Sequence, residues 1–249
     1  MKKPGKISRA LTAIRKLIED KEDTTQVFVI LEALAGKSGE RSFQRFMKTP
    51  NAKKILTAEK PLMDYLQDRE WLASLPEGSL GRTYLNFTKV EQITADGLVE
   101  ASQDVRSDQQ EFSKEAMIYQ DRQRDAHDLW HVVTGYGRDA LGELSLLAVT
   151  WRQTGNLGFL LIIGFGFWEV AKAAPEIKIA GVLREGFRTG AASEWLPSAD
   201  WETLLTRPLD EVRASLKMPA PTRYRRTVEK FPEIKTAVNA QELANANAA

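Results

Sequence analysis

Apolar residues recur every three to four positions along most of this chain, which is the spacing of one face of an α-helix. The pattern covers the first twenty residues and a second stretch that stops at Gly36, a residue suited to a helix C-terminus. It returns over residues 43–47, 62–66, 139–152 and 180–192. Alternating β-branched segments bounded by turn residues are scarce. The sequence therefore predicts an all-α fold, a single multi-helical domain.

The longest apolar stretch, LGFLLIIGFGFW, runs from Leu157 to Trp168 and stops at Glu169. It is shorter than the roughly 20 residues that a membrane-spanning helix needs. We expect a buried core helix or an interfacial helix, and as a functional alternative the wall of a groove for a polyprenyl tail. The candidate liners of such a groove are Trp130, Trp151, Phe159, Phe165, Phe167 and Trp168.

The two ends of the chain differ in composition from its middle. Residues 1–22 place several lysines and arginines around an apolar stripe, which suits an amphipathic helix lying on anionic lipid. A helix packed on its own domain with solvated lysines fits the same pattern. At the other end, residues 219–249 are expected to be an extension, disordered from about Ala237 because the tail has no apolar face.

Composition excludes several classes of protein and site. Lys plus Arg number 35 against 34 for Asp plus Glu, which argues against a nucleic-acid-binding protein held by phosphate neutralisation. There are no cysteines, so a bound metal must be held by nitrogen and oxygen. The N-terminus has no apolar core of the signal-peptide type, and a cytoplasmic location is expected.

The chain has two histidines, His127 and His131, and both fall in the segment HDLWH. On a helix their i, i+4 spacing directs both imidazoles from one face, at the separation that a single metal ion requires. An alternative is that they are ordinary polar residues of a half-buried helix, bonded to Asp128 and Asp139. A zincin would need Glu at position 128, and a serine or cysteine hydrolase would need a further histidine.

A carboxylate for the same ion comes from Glu143, twelve residues after His131. Gly135 and Gly137 allow the chain to break and reverse between them, which predicts a metal site between two consecutive helices. Asp128 is either a fourth ligand or an acceptor that orients an imidazole. This donor set suits zinc, and it also suits iron(II) or, less well, manganese.

Arg124 precedes His127 by three residues and shares its helix face. Its guanidinium is a candidate for binding an anionic group of a substrate. An ion pair with Asp128 at i, i+4 is the alternative.

At these residues the sequence strongly resembles the coenzyme Q (ubiquinone) biosynthesis protein 4 family, whose signature is His-Asp-x-x-His, eleven residues, then Glu. Here the signature is His127-Asp128-Leu129-Trp130-His131, with Glu143 at the matching distance. The likeness extends to LPEGSLGRTYL, HVVTGYG, MKTPNAKKIL and IAGVLREGFRTG, and covers about residues 23–218. The segment MIYQDRQRDA departs from the more aromatic segment that the family has before its signature.

The resemblance implies a helical domain over residues 23–218 that binds a metal and a prenyl lipid, with His127, Asp128, His131 and Glu143 as ligands and catalytic residues. The implied activity is metal-dependent removal, by oxidative decarboxylation, of the C1 carboxylate of a prenylated 4-hydroxybenzoate. A non-catalytic scaffold that presents prenylated quinone intermediates to other enzymes is the alternative.

Several partners follow from the same resemblance. They are a prenylated hydroxybenzoate or quinone lipid, a membrane surface, other ubiquinone-biosynthesis enzymes and a second copy of the chain, but no nucleic acid. The expected location is the cytoplasmic side of a bacterial inner membrane, because no transit peptide of the mitochondrial type is present in the sequence.

Overall fold

A computed structural model of the chain describes residues 5–19, 24–90 and 113–235. Over these residues it contains fifteen α-helices and two short 3-10 helices, and no β-strand. The all-α prediction is confirmed for this part of the chain. The helices are α1 (Lys6–Glu19), α2 (Thr24–Leu34), α3 (Ser38–Phe46), α4 (Ala52–Leu56), α5 (Leu62–Gln67), α6 (Arg69–Ser74), α7 (Leu80–Val90), α8 (Lys114–Asp125), α9 (His127–Thr134), α10 (Ala140–Thr154), α11 (Leu157–Ala173), α12 (Ile179–Ala192), α13 (Trp201–Leu204), α14 (Leu209–Ser215) and α15 (Thr222–Lys230).

The helices group into two compact units that are interleaved along the chain. The first unit takes its described residues from Met1–Gly39, Thr134–Ala192 and Pro219–Ala249. The second unit takes its described residues from Glu40–Val133 and Ser193–Met218. Each unit is therefore built from segments that are distant in sequence.

In the first unit, α10 and α12 approach each other closely because α12 carries small residues one turn apart. A Cβ on Gly186 would lie 2.6 Å from the carbonyl oxygen of Ser145, and one on Gly190 would lie 2.8 Å from that of Val149. The side chain of Gln153 donates a hydrogen bond of 2.7 Å to the carbonyl oxygen of Gly190. Larger residues on α12 would push the two helices apart.

The N-terminal helix α1 packs against α2 through Ala13, Leu17 and Ile30. Two other apolar residues of α1 face solvent, since Ile7 is 71% exposed and Leu11 is 53% exposed. The helix thus covers its own unit with one part of its apolar surface and leaves another part open. Lys2 and Lys3, which contribute to the predicted basic character, lie outside the described residues.

Helix α11 is not a fully buried core helix. It buries Gly158, Ile163 and Val170, whereas Leu157 is 60% exposed and Trp168 is 55% exposed. Its first turn is fixed to α2 by Asn156, whose side chain donates to the carbonyl oxygen of Leu31 at 3.0 Å. Of the two expectations for this stretch, a helix at an interface fits the observed exposure.

Among the described residues, no helix is both long enough and apolar enough to cross a membrane.

Residues after Pro219 continue into helix α15, which belongs to the first unit. Tyr224 and Val228 are buried, and the Tyr224 hydroxyl accepts a hydrogen bond of 2.9 Å from the backbone N–H of Gly137 and donates one to Asp139. The first part of the predicted extension is therefore folded. The predicted disorder after Ala237 falls on residues outside the described ranges.

In the second unit, the start of α7 is held by backbone hydrogen bonds to a segment far along the chain. The N–H groups of Leu80 and Gly81 donate to the carbonyl oxygens of Arg207 and Leu205 at 2.9 and 2.8 Å. A Cβ on Gly81 would lie 3.0 Å from the Leu205 oxygen, so this approach needs glycine. These contacts fix the position of α7, which carries residues next to the histidines.

Candidate metal centre

The histidine segment is placed by two helices with a short turn between them. Helix α8 ends at Asp125, Ala126 makes the turn, and α9 begins at His127. Helix α9 ends at Thr134, and Gly135 follows with a φ of 75°, the left-handed conformation that favours glycine after a helix. The predicted helical spacing of the two histidines is confirmed.

The side chains of His127, Asp128 and His131 come together in the second unit. One ligand atom from each residue can be chosen so that all three lie within 4.8 Å of one another. Atoms bound to one ion at about 2.0–2.2 Å lie at most about 4.4 Å apart, so a small side-chain rotation would close the set. The residues present therefore fit a divalent cation held by two nitrogens and an oxygen.

Contacts within the trio orient the imidazole rings. Nδ1 of His127 lies 3.2 Å from Oδ1 of Asp128. The two imidazole rings meet edge to face with their centroids 4.8 Å apart. The position of Asp128 is thus compatible with both roles considered for it. It is close enough to His127 to orient the imidazole, and it can offer an oxygen to an ion.

Helix α7 supplies the apolar surroundings of the trio. The ring of Phe87 stacks on that of His131, with centroids 5.7 Å apart and planes 23° apart. His131 is only 1% exposed, whereas His127 and Asp128 are partly exposed. The site is therefore buried at one imidazole and open to solvent at the other two side chains.

Burial and nearby charges shift the pKa values of two groups around the trio. Burial raises the pKa of the Tyr84 hydroxyl, and the negative charges of Asp128 and Asp125 raise that pKa further. Burial also raises the pKa of the Asp125 carboxyl, against the lowering effect of its hydrogen bond with Arg124. The Arg124 guanidinium is thus the positive charge that stabilises the Asp125 carboxylate in this half-buried environment.

Helix α8 is anchored by polar side chains upstream of the histidines. Arg122 is buried and pairs with Glu202 at 2.5 Å, and it donates to the carbonyl oxygen of Ala199 at 2.9 Å. Gln123 donates to the carbonyl oxygen of Pro197 at 3.1 Å. A buried, hydrogen-bonded ion pair of this kind fixes the orientation of the helix that precedes the trio.

Arg124, predicted to bind a substrate anion, is already engaged by carboxylates on its own helix. Its Nε and Nη2 donate to Asp125 at 3.0 and 2.8 Å, and its Nη1 lies 3.1 Å from Asp121. Binding a substrate carboxylate would require the guanidinium to share or exchange these partners. Its substrate-binding role stays a prediction.

Glu143 lies in the first turn of α10, in the first unit. Asp139 caps this helix and accepts hydrogen bonds from the N–H groups of Leu141 and Gly142 at 3.1 and 3.0 Å. The Glu143 carboxylate lies 3.7 Å from Nε of Arg138. Its participation as a fourth ligand stays a prediction.

Two residues of α7 that bear on this site were not identified from the sequence. Phe87, which stacks on His131, follows the segment LPEGSLGRTYL by two residues, and Tyr84, whose hydroxyl pKa is raised by Asp128, belongs to that segment. A signal for Phe87 was its spacing, because it stands three residues after Tyr84 and so lies near the same helix face. Nothing in the sequence indicated which histidine it would contact.

Comparison with known proteins places these features in a family. The family model described as coenzyme Q (ubiquinone) biosynthesis protein Coq4 matches residues 7–222. A mitochondrial ubiquinone biosynthesis protein coq4 from Penicillium rubens is 30% identical over 176 residues, which is 70% of this chain and 59% of that protein. The protein of the same name from Talaromyces stipitatus is 31% identical over 185 residues, 70% of this chain and 58% of that protein.

A solved structure supports the fold alone. The crystal structure of a candidate ubiquinone biosynthesis protein from Nostoc punctiforme PCC 73102 superposes with a TM-score of 0.60 at 22% identity, covering 86% of this chain and 98% of that one. The matched region spans less than two thirds of the length of the two fungal proteins. The residues matched by the family model include the histidine segment, α7 and helices of both units.

Proposed function

This chain belongs to the coenzyme Q (ubiquinone) biosynthesis protein Coq4 family, and on that premise we propose that it is a metal-dependent enzyme of ubiquinone biosynthesis. The proposed reaction removes the C1 carboxylate of a prenylated 4-hydroxybenzoate, as an oxidative decarboxylase. The observation that carries the proposal is the convergence of His127, Asp128 and His131 within 4.8 Å. Glu143 is proposed as the further ligand.

The chain's own residues would prepare the site in three ways. Phe87 fixes the ring plane of His131, so that imidazole loses little freedom when it binds a cation. Asp128 holds Nδ1 of His127, which sets the ring orientation. Partial exposure of His127 and Asp128 leaves a side from which a substrate carboxylate can approach.

A divalent cation held by these residues would supply a Lewis acid that withdraws charge from the substrate carboxylate or a neighbouring ring oxygen. In the decarboxylation itself the bond between C1 and the carboxylate carbon breaks, CO₂ leaves, and the electron pair of that bond stays on C1. Replacement of the carboxylate by hydroxyl is a two-electron oxidation, for which dioxygen is the candidate oxidant: the carboxylic acid, water and dioxygen together give the phenol, CO₂ and hydrogen peroxide. Zinc is the proposed metal for the first step, whereas iron(II) would suit the second.

Metal analysis combined with a turnover assay tests the proposal. Purified protein is analysed for bound elements, and release of labelled CO₂ is measured from a prenylated 4-hydroxybenzoate labelled in the carboxyl group. We expect Glu143→Gln to lower turnover at least about tenfold while the protein stays folded. Glu229→Gln, at an exposed position of α15, is the matched control and should change nothing.

A second candidate function is a scaffold or lipid-binding protein that presents prenylated quinone intermediates to other biosynthetic enzymes. The exposed apolar side chains of α11 favour it, because such a surface suits contact with lipid or another protein. In that case the ion is structural, neither the unaltered protein nor the variant releases CO₂, and Glu143→Gln should lower thermal stability. Absence of CO₂ release from the metal-loaded protein, with lipid recovered on extraction, would favour this function.

We also propose that the protein binds a membrane surface from the first unit. Helix α11 exposes Leu157, Leu161, Phe167 and Trp168, and Lys172 lies 5.3 Å from the Trp168 ring centroid. A tryptophan beside a lysine suits the boundary between headgroups and acyl chains. The inner membrane of a bacterium remains the predicted location, and a second copy of the chain remains a predicted partner.

A further inference from the structure

A groove of about 720 Å³ lies between α12 and α15 in the first unit. Its volume is within the range of pockets that bind small ligands. Most of its charged lining is positive, with six basic side chains and two carboxylates. The basic residues are Lys178, Arg184, Arg188, Arg223, Arg226 and Lys230.

The cations form two rows, one on each helix. Arg184 and Arg188 are four residues apart on α12 and therefore lie on one helix face. Arg223, Arg226 and Lys230 are spaced by three and four residues on α15, and they share a face in the same way. Like charges at such spacings within one helix repel one another, and a bound anion would relieve that repulsion.

The six basic side chains of the groove outnumber its two carboxylates, Glu176 and Glu185, so the lining keeps a net positive charge. Glu185 accepts hydrogen bonds from the backbone N–H groups of Arg223 and Tyr224 at 2.7 and 3.0 Å, so it caps the N-terminus of α15. Within the described part of the chain, Arg184, Arg188 and Arg226 make no ion pair with a carboxylate. The binding groups of this groove are therefore guanidinium side chains and not a helix terminus.

Packing places one guanidinium across the groove. The side chain of Arg223 lies over Gly181, and a Cβ at that position would be 2.6 Å from Nη1. Arg223 thus occupies space on α12 that a larger residue would take. The same groove is lined on its apolar part by Ala192, Pro219 and Phe231, with the Lys230 ammonium 5.0 Å from the Phe231 ring centroid.

The whole chain has a formal net charge of +1, so a cluster of six cations in one groove is a local concentration and not a consequence of a basic composition. We propose that this groove is a binding site for a phosphate-bearing anion. Guanidinium groups match phosphate oxygens with paired hydrogen bonds, and several such groups converge here. The phosphate could belong to a soluble phosphate ester or to the headgroup of an anionic lipid.

The groove lies in the first unit and shares no residue with the histidine trio of the second unit. Phosphate binding there does not depend on the proposed metal or reaction, so either proposal can fail while the other stands.

Calorimetric titration of the full chain with sodium pyrophosphate and with inorganic phosphate tests the site. We expect Arg226→Gln and Arg188→Gln each to weaken binding about tenfold or more, because each removes a charge-assisted hydrogen bond. Arg225→Gln is the matched control, since Arg225 is the exposed neighbour on the same helix but does not line the groove. Arg226→Lys keeps the charge and should recover part of the affinity.

A flotation assay provides the second arm, with phosphatidylcholine vesicles that contain either phosphatidic acid or no anionic lipid. Pyrophosphate binding with no gain in flotation from phosphatidic acid assigns the groove to soluble phosphates, and a gain from phosphatidic acid that Arg226→Gln removes assigns it to lipid headgroups. The proposal is overturned if neither probe binds, or if Arg225→Gln weakens binding as much as Arg226→Gln. Unchanged melting curves for the exposed arginine variants exclude loss of folding as the cause.

Discussion

Helices α10 and α11 follow each other in the chain, and the more apolar of the two is the less buried. Eight of the 15 residues of α10 are buried, including small and polar residues such as Gly142 and Ser145. Of the 17 residues of α11, three are buried, although the helix is built largely of leucine, isoleucine and aromatic side chains. Apolar composition alone did not decide which helix forms the core.

The difference has a physical reason in the neighbours of each helix. Helix α10 packs on α12 through close backbone contacts at Gly186 and Gly190, so even its short side chains are covered. Helix α11 is held at Asn156, Gly158 and a few core positions, and its outer side chains have no cover within the described residues of this unit. A helix that exposes large apolar groups is expected to meet a lipid or protein surface.

Glycine substitutions give the largest expected contrast between the two helices. A Cβ on Gly142 of α10 would lie 2.0 Å from the carbonyl oxygen of Gly137, so Gly142→Ala should destabilise the protein by about 4 kcal/mol or more. A Cβ on Gly164 of α11 would have nothing within 4 Å, and Gly164→Ala should stabilise by about 0.5–1 kcal/mol. Urea unfolding of both variants measures the difference, and equal midpoints would contradict the packing described for α10.

Leucine truncation should give a contrast of intermediate size. Leu146 of α10 is buried, and Leu146→Ala should cost about 2–5 kcal/mol through lost burial and a cavity. Leu157 of α11 is 60% exposed, and Leu157→Ala should change the free energy of unfolding by less than about 0.5 kcal/mol. A large loss on truncating Leu157 would mean that α11 is covered in solution, for example by a second copy of the chain.

Polar substitutions on the exposed face of α11 should have the smallest effect on stability and a large effect on membrane binding. Replacing Leu157, Leu161 and Trp168 together by serine should leave the unfolding midpoint almost unchanged. Binding to lipid vesicles should fall at least about tenfold. Each large apolar side chain contributes about 1.5–3 kcal/mol of favourable transfer free energy when it is fully buried in lipid, and the serine variant lacks that contribution. The pair Ile7→Ser and Leu11→Ser tests α1 in the same flotation assay.

If the α11 variant floats as well as the unaltered protein while the α1 pair does not, the membrane contact belongs to the N-terminal helix. If both variants float normally, neither apolar surface binds lipid, and the proposed membrane contact is wrong.

Local sequence pattern predicted the helical fold and half of the candidate site. The i, i+4 spacing of His127 and His131 predicts their shared face because helix geometry depends on neighbouring residues alone. The same reasoning located the turn at Gly135, which takes the left-handed conformation. Asp128 was predicted to orient an imidazole or to bind an ion, and its 3.2 Å contact with His127 allows both.

Features that depend on contacts between distant segments could not be predicted from local pattern. Phe87 stacks on His131 because α7 is fixed by hydrogen bonds to residues near 205, a pairing that no periodicity encodes. The basic groove joins arginines of α12 and α15 that are almost 40 residues apart in sequence. The apolar character of α11 is evident from its residues, while its exposure follows from how much surface its neighbours cover.

The hydrogen bonds between Tyr224 and the turn at Gly137 and Asp139 bear on how the protein is made. A ribosome delivers the chain from its N-terminus. The segment of the first unit that contains Gly137 and Asp139 is therefore synthesised well before the segment that contains Tyr224, and these hydrogen bonds form only after the last segment has emerged. The second unit has completed its own segments by Met218, a few residues before Tyr224 emerges. Completion of the first unit therefore comes after that of the second, and a nascent chain stalled before residue 224 would leave Asp139 without its hydroxyl donor.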